Sequence, residues 1–309
     1  MDFSIKFTAR TDLADEVLEN LGEKRGEIGD GIAFETRSIN SVRVDTVTVK
    51  NENATRITGK PVGKYVTVTT GEIWKADVKT FENIAKTVSQ VIRQMLPGDG
   101  LCLVAALGNE KITADAIGPL AADSIIVSRH LKLQSRQLYD SLGFSECACI
   151  VPGVMGDTGA EAYELVKGTV DMLRPSGVLV IDALASRNVG RLAKTVQICD
   201  SGISPGSGVG NARHEISRNT LGVPTVAIGV PTVVEAQTLC LDILSQALGD
   251  EKEVIDYIER RLPGNASSFF VCPKETDRII KSMAKLVGYS VNFALHKDIT
   301  VSEMDEFLA

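Results

Sequence analysis

Two aspartates in matching settings carry the chemistry open to this chain. Asp115 stands in Thr113-Ala114-Asp115-Ala116-Ile117-Gly118-Pro119, shortly after the apolar run Leu101–Leu107, and Asp182 closes a second run, Val178-Leu179-Val180-Ile181. A carboxylate at the end of a buried strand costs stability unless it is paired or used. Two of them from successive units of one sheet can converge on one crevice. There they either share a proton as an acid/base pair or help to hold a metal ion.

Other candidate motifs give weaker readings. Asp157-Thr158-Gly159 matches the triplet of pepsin-type proteases but occurs once, where two lobes would need two copies. The following residues read as a helix, with Asp157 or Thr158 as its N-cap. The run from Gly202 to Asn211 is rich in glycine yet lacks a Gly-Lys-Ser/Thr ending, so it reads as a loop that shapes a substrate site or a subunit contact. His130, His214 and His296 are far apart and form no H-x-x-x-H pair; they read as surface or interface residues. A metal site assembled from dispersed groups would use Asp115, Asp182 and His130. Cys102, Cys147, Cys149 and Cys199 fall at strand-like positions without a C-x-x-C, as reduced core cysteines do.

Composition sets outer bounds. With 309 residues, 44% hydrophobic and 24% charged, the chain can bury a large core. A net charge of −7 without a Lys/Arg-rich run argues against direct nucleic-acid binding. The residues Met1–Lys6 show no apolar signal core, and the longest apolar stretch, Leu221–Val234, is broken by Pro224 and Pro231. The expectation is a soluble cytoplasmic protein with no membrane span.

Residues 41–50 and 64–70 alternate like antiparallel strands, and residues 77–95 repeat with helical spacing until Pro97-Gly98. From Leu101 onward short apolar runs (101–107, 147–151, 178–181, 195–199, 224–230) alternate with segments read as helices (118–131, 158–173, 232–248). Two late helices follow, over about 252–261 and 274–295. This predicts an α/β fold: a three-layer αβα arrangement with a mostly parallel central sheet, phosphorylase/hydrolase-like, plus a small antiparallel element near the N-terminus (residues 37–70). In such sheets ligands bind beyond the carboxyl ends of the strands. Gly108-Asn109, Asp115, Pro152–Gly156, Asp182 with Arg187, and Asp200 with its glycine loop all fall there.

In order along the chain, Leu107-Gly108-Asn109, Thr113–Pro119, Ser128-Arg129-His130-Leu131, Val151–Gly156, Ile181–Ala185, Asp200–Ile203, Pro205–Asn211, Glu215–Ser217 and Gly229–Val234 resemble the germination protease of spore-forming Gram-positive bacteria. The resemblance spans about residues 8–296. It implies an endopeptidase that degrades small acid-soluble spore proteins in the spore core, made as a zymogen and assembled as a homotetramer. No cofactor is expected, with a divalent metal at the aspartates left open. The resemblance places the proposed catalytic aspartates at Asp115 and Asp182.

Substrates of that family are cut after the first acid of a Thr-Glu-(Ile/Phe)-Ala-Ser-Glu sequence. The chain carries Thr11-Asp12-Leu13-Ala14-Asp15-Glu16, which reads both as a helix start and as a self-cleavage site between Asp12 and Leu13, with residues 1–12 as propeptide and 13–309 as one protease domain. Amides of the loops at Gly108, Asn109 and Gly208 are candidates for stabilising an oxyanion, and Arg129 and Arg187 for selecting acidic substrate residues. Two rivals use the same frame: a metal-dependent peptidase of the hydrogenase-maturation type, and an inactive assembly protein.

Overall fold

The computed structural model describes residues 11–20, 31–206, 213–248 and 269–309. The first half contains α1 (Ala14–Asn20), β1 (Ile32–Ile39), β2 (Val42–Val49), α2 (Glu52–Thr58), β3 (Gly63–Thr69), α3 (Val78–Met95), β4 (Cys102–Ala106), α4 (Ile117–Ala122), α5 (Arg129–Gln134), α6 (Arg136–Leu142) and β5 (Cys147–Ile150). The second contains α7 (Met155–Thr158), α8 (Ala162–Leu173), β6 (Gly177–Ser186), β7 (Thr195–Cys199), α9 (Arg218–Leu221), β8 (Thr225–Glu235), α10 (Ala236–Leu248), β9 (Phe270–Val271), α11 (Thr276–Leu295) and α12 (Val301–Phe307).

One mixed sheet organises these elements, in the order β1-β2-β3-β7-β8-β6-β4-β5, with β9 pairing the far end of β8. The strands β5, β4, β6 and β8 run parallel. β7 is antiparallel to both its neighbours and joins β1–β3 to the parallel half. The strands within residues 37–70 are therefore continuous with the central sheet, with α2 between β2 and β3. Strand β1, where no strand was expected, pairs with β2 along its whole length.

Period-two alternation sorts the strand residues into two faces. On one face Cys102, Val104, Leu179, Ile181, Val196, Ile198, Val226 and Ile228 pack under α3, α4 and α11. Helix α3 presents Ile84, Ala85, Val88, Val91 and Ile92 to that core, and Asp77 caps it through the amide of Thr80 at 2.7 Å. On the other face Leu103, Ala105, Val178 and Val180 pack against Val166 and Val170 of α8, and Val47, Val49 and Tyr65 against Ala14 and Leu18 of α1. Asp182 and Gln197 belong to this second face. The cysteines Cys102, Cys147 and Cys199 are buried and free, and burial pushes the thiols of Cys102 and Cys147 up.

Several predicted helices start or stop elsewhere for identifiable reasons. Residues 118–131 break into α4 and α5 because Asn292 of α11 takes the amide of Ile126 (2.9 Å) and the carbonyl of Ser124 (2.8 Å), which pulls the chain out of helix. His296 Nε2 donates to Ile126 O at 3.0 Å. The cap before α8 is Glu161, in a reciprocal capping box with Glu164, and not Asp157 or Thr158. Thr232–Glu235 stay in β8, where β-branched residues pair with the end of β6. The helix expected over 252–261 lies outside the described residues. Among the described residues, no helix is long and apolar enough to cross a membrane.

Candidate active site

Strand β6 is longer than β4, and that difference opens the site. The ladder between them ends where the amide of Leu107 donates to Ile181 O at 2.8 Å. Beyond it β4 turns away at Gly108 while β6 continues to Ser186. Asp182 thus lies inside a strand, not at its end. It faces Gly229 of β8 on one side, and the turn Thr113–Asp115 packs against β6 and β8 beyond the end of β4.

Glycine makes that turn feasible. Gly108 has φ 118°, and a side chain there would place its Cβ 2.0 Å from the carbonyl oxygen of Asp115. Gly118 meets Leu107 O at 2.1 Å in the same way. The amide of Asn109 donates to both Asp115 O (3.1 Å) and Asp115 Oδ2 (2.9 Å), so the loop after β4 is folded around this carboxylate.

Asp115 and Asp182 line one cavity of about 450 Å³, with Asp12 on its wall. Burial raises Asp182 well above the usual carboxylate range, and the charges of Asp115 and then Asp12 push it further; one hydrogen bond from the amide of Ala183 (2.9 Å) opposes this. Burial also raises Asp115, against the hydrogen bond from Asn109. Both carboxyls therefore hold a proton to higher pH than an isolated aspartic acid does.

Much of the rest of the cavity wall is apolar, including Ile112, Met155 and Phe270. Its rim carries Glu161, Tyr163, Arg213 and His214, where His214 Nδ1 donates to Glu161 Oε2 at 2.7 Å and its ring stacks on Tyr163. Sequence reasoning missed this group, whose members meet across 53 residues of chain with no local signature.

The segment Thr11–Glu16 occupies the edge that β4 leaves open. Along β6 the backbone groups of odd residues point toward β4, as the bond to Ile181 O shows. Ala185 uses that direction on Asp12: its carbonyl accepts from Asp12 N (2.9 Å) and its amide donates to Asp12 Oδ2 (2.9 Å). Further along, Glu16 is buried, with one carboxylate oxygen accepting from Arg187 N (2.8 Å) and the other from Asn188 N (3.1 Å). Thr11 Oγ1 donates to Glu16 and accepts from Leu13 N at 3.0 Å. Lys60 Nζ donates to Thr11 O at 3.0 Å, and Arg191 pairs with Asp15 at 2.7 Å. Leu13 is fully buried.

Other predicted site residues are placed differently. Gly108 lines the cavity, but the amide of Asn109 is committed to Asp115. Arg129 sits on α5, 3.8 Å from Glu146, outside the cavity wall. Arg187 is nearly buried beside Asp242 at 3.7 Å, and neither arginine lines the cavity. His130 is exposed on α5 and away from the aspartates. Among the described residues no three His, Cys, Asp or Glu side chains converge as metal ligands. Gly208 lies outside the described residues.

Comparisons with known proteins agree on one family. The family model described as germination protease (Peptidase_A25) matches residues 9–262. A germination protease of Clostridium perfringens is 35% identical, with 98% of this chain and 99% of that protein covered. One from Caldanaerobacter subterraneus subsp. tengcongensis is 37% identical over 97% and 98%, and one from Priestia megaterium 35% over 95% of each. A solved [NiFe] hydrogenase maturation protease, HycI from Thermococcus kodakarensis, overlaps 52% of this chain and 99% of its own at a TM-score of 0.30 and 16% identity.

Two outcomes follow from this geometry. Gly108→Ala forces the Asp115 turn to move, and a misplacement on the order of 1 Å costs roughly 100-fold in rate; peptidase assays of a variant that still folds would show it, and near-wild-type activity would contradict the packing described. The second concerns pH. Asp182 and Asp115 have raised pKa values in the folded state, so the folded protein binds more protons than the unfolded chain between the ordinary carboxylate value, about 4, and the raised values. Their contribution to stability is therefore present at low pH and lost as pH rises through that window. Asp182→Asn should flatten this dependence and raise stability at pH 7 by about 1–2 kcal/mol. Urea unfolding of both proteins at pH 5 and pH 7 measures it, and identical pH slopes would refute it.

Proposed function

Since the chain belongs to the germination protease family, and is a peptidase, we propose that Asp115 and Asp182 form its catalytic pair and that the Asp12–Leu13 bond is its first substrate. The observation that carries this is the leader itself: Asp12 shares a cavity with both aspartates and is pinned to β6 three residues beyond Asp182. Small acid-soluble spore proteins are the substrates we assign beyond the leader, cut in the spore core at germination. The chain is made as a zymogen with residues 1–12 as propeptide, and it works as a homotetramer; both properties are taken over from the family resemblance.

The chemistry needs one proton shared by two carboxylates. The ionised member takes a proton from a water molecule while the resulting hydroxide adds to the scissile carbonyl carbon. The carbonyl π electrons move onto its oxygen. Collapse of that intermediate breaks the C–N bond, and the leaving nitrogen takes the proton held by the other carboxylic acid. One water is consumed and a new carboxyl and a new amine appear, with the pair again holding one proton. Buried surroundings matter here because a proton shared between solvated carboxylates would be lost at neutral pH.

Apolar residues on the cavity wall suit the hydrophobic side chains of an extended peptide, while the acidic positions of the leader are each met by backbone amides or a cation. This favours substrates with a carboxylate at the cut and another four residues beyond it, the pattern of Asp12 and Glu16.

Asp115→Asn and Asp182→Asn are each expected to abolish both self-processing and cleavage of a peptide bearing Thr-Glu-Ile-Ala-Ser-Glu. The wild-type product should begin at Leu13 by N-terminal sequencing. Full activity in either variant would remove the pair from the mechanism, and a product starting elsewhere would remove the leader assignment.

A further inference from the structure

We propose that Gln197, on β7, is a catalytic residue of this peptidase: its side-chain amide clamps the scissile bond and stabilises the oxyanion formed from the carbonyl of Asp12. The inference rests on the reading of Asp12–Leu13 as the bond that is cut. Gln197 Nε2 donates to Asp12 O at 3.1 Å, and Gln197 Oε1 accepts from the amide of Ala14 at 2.8 Å. The carboxamide thus holds the carbonyl on one side of the bond and the amide one residue beyond it on the other. A glutamine oriented by both of its ends has no freedom to turn its donor away.

The sheet explains why this residue can reach. Asp182, Gly229 and Gln197 are register partners across β6, β8 and β7. Asp182 and Gln197 point to the same face, and between them Gly229 carries no side chain. Two strand spacings put their backbones roughly 10 Å apart, and Asp12 spans the gap, lining both the cavity of the two aspartates and the neighbouring one that Gln197 lines. Leu184 lies over Gly229, where an added Cβ would come within 2.3 Å of it, and forms part of the wall of both cavities. Gln197 is itself buried, so its donor competes little with water.

The leader is locked into this register from both ends. The Ala185 bridge fixes Asp12, and the amides of Arg187 and Asn188 fix Glu16. Leu13 N, which becomes the leaving amine, donates to Thr11 Oγ1. When hydroxide adds to the Asp12 carbonyl carbon, the electron pair displaced onto the oxygen meets the Gln197 N–H already pointed at it. Collapse returns that pair to the carbonyl as the C–N bond breaks and Leu13 N is protonated. Gln197 keeps its own protons throughout.

Donors of this type contribute about 100- to 1,000-fold to rate. The test follows conversion of the precursor in wild type, Gln197→Met and Gln197→Glu; the Glu variant keeps the acceptor for Ala14 and loses the donor. Both should convert at least about 100-fold more slowly, with the urea unfolding midpoint of Gln197→Met close to that of wild type. A second readout does not depend on turnover. Asp12-Leu13 is the chain's single Asp-Leu pair, so carbonyl-¹³C aspartate with ¹⁵N leucine marks this bond alone. In an Asp182→Asn background, which holds the bond intact, adding Gln197→Met should move the Asp12 carbonyl signal upfield as its hydrogen bond is lost. Conversion within threefold of wild type, or an unmoved carbonyl signal, would overturn the assignment. N-terminal sequencing of the wild-type product separates this from failure of the premise: a start other than Leu13 refutes the bond chosen, while a Leu13 start with fast variants refutes Gln197 alone.

Discussion

A carboxylate buried inside a strand is the constraint on which this structure turns. Asp182 has almost no access to water, one hydrogen bond from the next residue's amide, and two further acids nearby. Such a group is destabilising when charged, and a fold keeps it when the protonated form has a use. The features around it follow from that need. β4 stops early so that a cavity can form, Gly108 and Gly118 fold the next turn tightly enough to bring Asp115 in, and Gly229 beside it leaves room for the Leu184 side chain.

The leader answers a second physical problem. Ending β4 early leaves the edge of β6 with unpaired backbone groups, and an open edge invites any extended peptide. Asp12 takes that edge at Ala185, while Glu16 occupies the two amides just past the end of β6. An edge that accepts a strand-like segment through its main chain is a general way to hold a peptide for cleavage. The same contacts keep other peptides off this edge while Thr11–Glu16 occupies it.

How much of this could be read from sequence depended on how local each signal was. The sheet strands from Leu101 onward, and the pairing of Asp115 with Asp182 on one edge, were legible because apolar runs and the residues that follow them are adjacent in the chain. The full length of β6 was not, since Asp182-Ala183-Leu184-Ala185 looks like a strand end until Gly229–Val234 is known to pair with it. The surroundings of Arg129 and Arg187 were not legible, because Glu146 and Asp242 are brought beside them by tertiary structure. Gln197 gave no signal: one glutamine in a short β-branched strand looks like an edge residue, and its role comes from which face it occupies and what lies over it. The amides of Arg187 and Asn188 are main-chain groups, invisible to any reading of side chains.

Sharing of one proton by Asp115 and Asp182 is the claim everything else depends on. Carboxyl-¹³C NMR of selectively labelled aspartates, titrated from pH 3 to pH 8 in a precursor kept uncleaved by Asp12→Lys, reads it directly. With Asp12→Lys the Asp182 carboxyl should still titrate above the ordinary value of about 3.9, and Asp115→Asn should bring it down by removing the neighbouring charge. If Asp182 titrates at the ordinary value, or is unaffected by Asp115→Asn, the two carboxylates do not act as a pair.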